Sequence, residues 1–213
     1  MKPYRIIFFH ALAVIYLLLL FACAGPSTQQ TQTSEEQVST ESKVVHGVEK
    51  IQLASLEEIP MREPLKANYD NIIVRSFESD AQVQKDYPYA PISCKESIIS
   101  QLNDKKTYKQ VTDEIDKIYY GKTVIVDMTI VDMRIAGGAA RFWGGALAGN
   151  SFMDVLLELR DAHTKEVVHQ KVLSTSNNAW GAAYSFGASD RSLPSDLGIL
   201  IGEYIFRIVP GSN

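Results

Sequence analysis

The sequence predicts an α/β (α+β) domain with a mixed, largely antiparallel sheet and about two helices on one face, preceded by a signal peptide and a flexible tether. Three observations lead to this prediction. The chain opens with a basic and then apolar segment, and a polar tract follows to about residue 47. Beyond residue 68, segments with the two-residue period of strands are flanked by segments with the period of helices, as in layered α+β domains.

Residues 1–22 have the features of a secretory signal peptide. Lys2 and Arg5 make the start basic, and the chain is then almost wholly apolar to Ala24, interrupted only by His10. The apolar run is close to the roughly 20 residues that a membrane-spanning helix needs. An uncleaved anchor helix is therefore the alternative, and with either interpretation the rest of the chain is tethered to a membrane.

Residues 20–23, with the sequence LFAC, resemble the lipobox of bacterial lipoproteins, although Phe21 is bulkier than the residue usually found there. The resemblance implies a diacylglyceryl thioether on Cys23, cleavage before it and an acyl chain such as palmitate on the new amino group. Ala24 stands where lipoproteins of the inner membrane typically carry aspartate. By that family rule the protein is an outer-membrane lipoprotein facing the periplasm, with the inner membrane as the alternative.

The composition separates a linker from a folded domain. Loss of residues 1–22 removes Lys2 and Arg5 but no acid, which lowers the formal net charge from −4 to −6 and gives no support for a nucleic-acid partner. Residues 23–67 are predicted to be the lipidated cysteine and a flexible linker, ending in an irregular lead-in (50–66) that lies against the domain. Residues 68–213 are predicted to form a periplasmic α/β domain.

Strand periodicity recurs five times in the predicted domain. Alternating or β-branched apolar residues predict strands at 71–77, 108–112, 123–135, 153–159 and 166–175, the last three forming a meander. In the long third segment the apolar side changes after Ile130, which predicts a β-bulge or a strand that runs past the core.

Two segments have helical periodicity. Ser93 and Glu96 have the spacing of a capping box ahead of the apolar residues of the first helix. The second helix is predicted to begin after Ser192 and to end before a Pro-Gly pair. Within it, Gly198 and Gly202 would permit a close approach to a neighbouring helix at a local cost of about 1 kcal/mol each.

A family resemblance rests on two segments. Residues 137–149, GGAARFWGGALAG, and 160–168, RDAHTKEVV, with the strands and helix around them, resemble the bacterial lipoproteins grouped as domain of unknown function 4410. Members of that family carry Asp-Ala-x-Thr-Gly-Lys at the turn, whereas Lys165 stands where the turn glycine would be. The resemblance covers most of the chain after residue 68 and implies a fold and a cellular address, but no reaction.

The search for chemical groups yields little. His163 and His169 lie on a predicted turn and strand without a third ligand, so solvent-facing histidines are favoured over a metal site. Asp127, Asp132 and Asp154 would make an acid pair or a cation site if they clustered, but polar residues on the wet face of a sheet are favoured. No catalytic residue, metal or cofactor is expected, and the chain is not expected to be an enzyme.

Cys94 is the only thiol left if Cys23 is lipidated, so no internal disulfide is expected. In the first turn of a predicted helix it is either a small buried residue or a reactive thiol favoured by the helix amides.

A possible interaction surface comes from two similar strings that each contain a tryptophan and small residues. If the last three strands form a meander, both strings leave the sheet at the same end and make one apolar patch. The alternative is that their aromatic rings fold back over the end of the sheet. The residues of this predicted surface are Phe142, Trp143, Leu147, Trp180, Tyr184 and Phe186.

Three classes of function follow. The first is a membrane-anchored lipoprotein with a periplasmic binding or scaffold domain. The second is a subunit of an oligomeric cell-envelope assembly or secretion complex, by fold-level analogy with lipoproteins of the curli-secretion channel type. The third, a hydrolase or metal enzyme, has the least support. The expected partners are the membrane, through the lipid anchor, and a protein partner or further copies of the chain.

Overall fold

The computed structural model describes residues 47–115, 120–136, 149–177 and 188–212, which form an α+β domain. In these ranges the sheet has seven strands: β1 Lys50–Gln52, β2 Asn71–Val74, β3 Glu78–Ser79, β4 Gln110–Thr112, β5 Thr123–Arg134, β6 Ser151–Asp161 and β7 Val167–Asn177. The helices in the same ranges are α1 Ala81–Asp86, α2 Ala90–Asp104 and α3 Ala188–Ile208.

The sheet is mixed, with its long strands antiparallel. The strand order is β1-β7-β6-β5-β2-β4, and β3 also pairs with β5. Strands β5, β6 and β7 form an antiparallel meander, whereas β1 joins β7, β2 and β3 join β5, and β4 joins β2 in parallel. The prediction of a mixed, largely antiparallel sheet with a three-stranded meander is therefore confirmed.

One face of this sheet is apolar and carries α2 and α3. Cross-strand pairing aligns buried side chains in rows, because residues that face each other across strands project to the same side. Val126 pairs with Leu159 in one such row, and Ile130 pairs with Val155 in another. The core formed by these rows also includes Ile98 and Leu102 of α2, and several residues of α3. The opposite face, which carries Asp127 and Glu158, is called the open face below.

The predicted bulge is present in β5. The pairing of β5 with β6 shifts between Ile130 and Asp132, so that one residue of β5 has no partner. After the shift Met133 faces the core and is 8% exposed. The bulge therefore explains how the apolar pattern changes side within a single continuous strand.

The lead-in, predicted to be irregular, begins as a strand. Ile51 and Leu53 are buried on the apolar face, and the Leu53 amide donates to the Ser174 carbonyl at 2.7 Å. Further along, the Arg207 guanidinium donates to the carbonyls of Leu56 and Ile59 at 2.8 and 3.0 Å. The sheet thus begins before residue 68. Two alternating apolar side chains are enough to form this short strand because it pairs with β7.

Both predicted helix starts are wrong. Helix α2 begins at Ala90, with Tyr89 as N-cap and a proline in the first turn, where the missing amide costs no hydrogen bond. Ser93 therefore lies inside the helix, and its amide donates to the Tyr89 carbonyl. Helix α3 begins at Ala188, and the Ser192 hydroxyl, predicted to cap it, donates to Asp196 instead.

The two long helices approach closely at Gly198 and Gly202, as predicted. A β-carbon at Gly198 would lie 2.7 Å from the Ser97 Cβ, and one at Gly202 would lie 2.8 Å from the Gln101 Cβ. Beside this contact the carboxylate of Glu203, on α3, is held by hydrogen bonds and ion pairs with side chains from both helical segments. Its partners are Lys105 at 2.6 Å, Gln101 at 3.1 Å and Arg207 at 3.1 Å. The two glycines at the contact and the Glu203 carboxylate beside it therefore fix the packing of α2 against α3.

The sheet has two ends that matter for function. The turn between β6 and β7 marks the hairpin end, where the Asp161 carboxylate accepts from the amides of His163 and Thr164 at 2.9 and 3.1 Å. Lys165 adopts φ 65°, so a lysine occupies the left-handed position that glycine usually takes. The other end, where β5 ends at Arg134 and β7 at Asn177, is called the loop end.

Gly198→Ala tests the helix contact. We expect a loss of about 1–3 kcal/mol of unfolding free energy, because the added methyl would meet the Cys94 backbone as well as Ser97. Urea unfolding measures the change. Ser100→Ala, at an exposed position of α2, is the control and should be neutral or slightly stabilising. A stabilised Gly198→Ala protein would contradict the close approach.

Candidate functional site

The two tryptophan-bearing segments are connected to the same end of the sheet. Arg134, the last residue of β5, pairs with Phe152 of β6, and Ser151 pairs with Asn177, the last residue of β7. Segments 137–148 and 178–187 therefore both join strands at the loop end, as the meander predicted. The six predicted surface residues, namely Phe142, Trp143, Leu147, Trp180, Tyr184 and Phe186, lie outside the described residues, and so does Cys23.

Hydrogen bonds hold both sides of the first segment. The Ala136 amide donates to the Ser151 hydroxyl at 2.9 Å, and the Ile135 amide donates to the Tyr87 hydroxyl at 3.2 Å. On the return side Gly149 has φ +80°, and a β-carbon there would lie 3.1 Å from the Arg134 guanidinium. The loop end is thus a pair of fixed strand ends from which long connections leave, which is a common arrangement for binding segments.

The open face carries a polar cleft of about 350 Å³ near the middle of the sheet. The Asp127 carboxylate lies between two guanidiniums, bonded to the Nε of Arg75 and 3.5 Å from the Nε of Arg160. Glu158, directly opposite Asp127 on β6, accepts from the Gln170 side chain at 3.0 Å. Asp127 is thus shared by two arginines, and this group of charges links the end of β2 with β5 and β6 across the open face.

The three carboxylates predicted to lie on the wet face do not come together in one group. Asp127 is bonded to Arg75 and lies beside Arg160, whereas Asp132 on β5 and Asp154 on β6 face each other across the two strands. Asp154 is 3% exposed, and so it is not on a wet surface. Lys50 at 2.6 Å and Ser174 at 2.5 Å satisfy its charge. Within the described ranges, no three His, Cys, Asp or Glu side chains are placed to hold a metal ion.

The two histidines of the domain have different surroundings. His163 is exposed in the turn of the hairpin end. His169 was predicted to face solvent, but its side chain lies toward α3, with Nε2 2.9 Å from the Tyr204 hydroxyl. Burial, helped by the nearby charges of Lys171 and Arg62, lowers the pKa of His169 to about 4. In the folded protein His169 is therefore neutral, and its imidazole packs between β7 and α3.

Cys94, on α2, is completely buried where this helix packs against α3. It lies in the second turn of α2, beyond the first-turn amides, and burial raises the pKa of its thiol. The interpretation of Cys94 as a small buried residue is confirmed, and that of an exposed reactive thiol is wrong.

Several polar contacts of the sheet have no signature in the sequence. Arg75 and Arg160 were not singled out, because their meeting at Asp127 depends on how β2, β5 and β6 pair. The sequence places Lys50 in the linker, whereas in the structure its ammonium neutralises Asp154, which is more than 100 residues away along the chain. The alternation of Glu158 and Arg160 along one strand was the only local signal, and it indicated a polar face without naming the partners.

Comparison with known protein families finds no match for this chain, and comparison with curated proteins finds none either. The resemblance to domain of unknown function 4410 therefore stays a prediction.

Solved structures give weak likenesses. PelC from Paraburkholderia phytofirmans, described as a dodecamer, is 15% identical with a TM-score of 0.42, over 70% of this chain and 95% of PelC. A Xanthomonas campestris protein of the family domain of unknown function 330 is 11% identical with a TM-score of 0.41, over 73% and 94% of the two chains. A candidate lipoprotein from Caulobacter crescentus is 15% identical with a TM-score of 0.29, over 62% and 89%. Likeness at this level carries no conclusion about the activity or assembly of this chain.

None of the helices in the described part of the chain combines the length and apolarity needed to cross a membrane.

The pH dependence of stability tests the buried state of His169. An unfolded histidine has a pKa near 6.5 and the folded one about 4, so neutral His169 stabilises the fold above about pH 6.5. That contribution is lost as the pH falls toward 4, by about 2 kcal/mol between about pH 7.5 and about pH 5. We expect His169→Gln to flatten this part of the urea-unfolding profile. His163→Gln, at an exposed position of the turn, is the control for the loss of a histidine, and equal profiles for His169→Gln and the parent would refute the assignment.

Proposed function

We propose that this chain is a lipoprotein of the bacterial cell envelope, anchored through Cys23, with a periplasmic domain that binds a protein partner and catalyses no reaction. The lipobox-like residues 20–23 and the polar tract after them support the anchor. The proposed location is the outer membrane, because Ala24 follows Cys23 where lipoproteins of the inner membrane typically carry aspartate. In this proposal the domain presents its loop end to the partner.

The observation that carries the binding role is the register of the meander. Arg134 and Asn177 end β5 and β7 on either side of the first residues of β6. Two connections rich in glycine, alanine and aromatic residues therefore begin side by side. A tryptophan among small residues in the sequence offers a large amphipathic ring with few bulky neighbours, which suits contact with a partner. Both arginines of the open-face cleft are engaged by Asp127, so the loop end is the better candidate for a binding surface.

A second candidate function is subunit of an oligomeric envelope assembly. The pairing of β1 covers only residues 172–174 of β7, and within the described ranges no strand pairs with 175–177 on that side. A strand edge that has no partner among the described residues can accept a strand from another copy. Size measurement of the detergent-solubilised protein separates the two candidates, since a scaffold monomer and a ring of subunits differ several-fold in mass.

Replacement of the lipidation residue tests the anchor. We expect Cys23→Ser to abolish acyl labelling and maturation, because serine cannot form the thioether. Metabolic labelling with a fatty acid and fractionation of membranes measure both effects. The matched control is Cys94→Ser, which removes the other cysteine but lies outside the predicted signal. A Cys23→Ser protein that is processed and labelled like the parent would overturn the anchor.

Replacement of both tryptophans tests the binding surface. We expect Trp143→Ala with Trp180→Ala to leave the melting temperature nearly unchanged and to reduce cross-linked adducts of the protein in intact cells. Met61→Ala is the control, since it removes a large apolar side chain that is 94% exposed and lies outside both tryptophan-bearing segments. A cost of about 3–5 kcal/mol for each tryptophan would place the rings in the core and remove them from the surface.

A further inference from the structure

The hairpin end carries a cluster of exposed lysines, called the lysine surface. Lys109 and Lys122 are 60% and 48% exposed at their side chains. Three more exposed lysines lie in the segments that meet there, namely Lys66, Lys106 and Lys165. Five lysines therefore lie at one end of a chain whose formal net charge is −4.

Direct contacts bring these segments together. The Lys109 amide donates to the Asp70 carbonyl at 2.7 Å, and the Lys122 amide donates to the Asp70 carboxylate at 2.8 Å. Lys165 belongs to the turn that Asp161 holds, and the Lys122 ammonium lies 3.7 Å from Asp161. Thr107, beside Lys106, is packed against Gly211, which pairs with Tyr69.

The acids at this end are placed beneath or beside the lysines. Asp70 and Asp161 have side chains only 13% and 6% exposed, so the lysine ends lie outside them. The exposed carboxylates Glu63, Asp104 and Glu166 lie in the same or neighbouring segments and reduce the positive field of the lysines. The lysine ends of the Lys109–Asp70 and Lys122–Asp161 pairs therefore lie outside their carboxylates, and the exposed side chains named at this end are five lysines and three carboxylates.

An exposed aromatic ring accompanies the lysines. Tyr120 is 92% exposed and lies two residues before Lys122, where the chain returns from β4 to β5. Tyrosine and lysine together are the residues that proteins place at the headgroup level of a membrane. The lysine surface thus combines the two side-chain types that suit an anionic lipid layer.

The proposed anchor does not itself orient the domain. Residues 24–46 would reach about 80 Å if fully extended, which exceeds the width of the domain and lets either end face the membrane. Weak electrostatic attraction is enough to select one orientation, because the anchor already holds the domain near the lipid.

We propose that the lysine surface docks on anionic phospholipid headgroups of the membrane that holds the anchor, which directs the loop end away from the membrane. This inference rests on the proposed lipid anchor and adds to it the class of surface that the hairpin end contacts. The arrangement leaves the tryptophan-bearing segments free to meet a partner in the periplasm.

The experiment uses the full lipidated protein reconstituted into vesicles, with Tyr120→Cys carrying an environment-sensitive fluorophore. Cys94 is completely buried and Cys23 would be acylated, so the new thiol is the accessible one. Quenching by neutral acrylamide reports whether position 120 is shielded. We expect severalfold weaker quenching on vesicles with about 30% phosphatidylglycerol than on pure phosphatidylcholine, and recovery of quenching in about 1 M salt.

A matched pair of double variants assigns the effect to the lysine surface. Lys106→Gln with Lys165→Gln should lower the ratio of docked to undocked protein about 25-fold, since each lysine near an anionic surface contributes about fivefold. Lys85→Gln with Arg191→Gln removes the same charge from exposed positions in α1 and at the start of α3. That control pair should dock like the parent.

Three results would overturn the docking. Equal quenching on both kinds of vesicle would show that position 120 is not shielded by lipid. Equal loss in the two double variants would reduce the effect to net charge. Shielding by soluble polyglutamate but not by phosphatidylglycerol would assign the surface to an acidic polymer. A protein that fails to float with either vesicle lacks the anchor, and that result contradicts the proposed function separately.

Discussion

The pairing register of β5, β6 and β7 is the constraint on which the rest of the domain depends. Successive residues of a strand face opposite sides, so a slip of one residue would exchange the apolar face for the face that carries Asp127 and Glu158. The bulge after Ile130 lets β5 keep apolar residues in the core over its whole length. Because the register also aligns the ends of the strands, the same constraint determines where the long connections leave the sheet.

Much of the fold follows from periodicity, and its errors have local causes. The long strands and α3 were predictable because many alternating or helically spaced residues agree with one another. The start of α2 was missed because the pair Ser93 and Glu96 imitates a capping box, whereas Pro91 in the first turn favours an earlier start. Strand β1 was missed because three residues have little periodicity, and its stability comes from β7 rather than from its own sequence.

The sequence predicts where the candidate site lies on the sheet, but it does not predict which polar side chains contact one another in the domain. Counting strand reversals was enough to bring both tryptophan-bearing segments to one end, because antiparallel strands return the chain at every turn. Pairs such as Lys50 with Asp154 join residues more than 100 positions apart, so no local pattern reveals them. His169 likewise looked like a surface residue, since the packing of Tyr204 against it depends on where α3 lies across the sheet.

The position of β1 has a consequence for the order of folding. Residues 50–52 complete the sheet only by pairing with residues 172–174, and the amides of Leu65 and Tyr69 bond to carbonyls at Ile208 and Pro210. Contacts between parts of the chain so distant in sequence form late, because loop closure must precede them. Strand β1, which is synthesised before every other strand of the sheet, therefore finds its partner only after β7 has been made. The sheet of this domain is complete only once the C-terminal part of the chain is available.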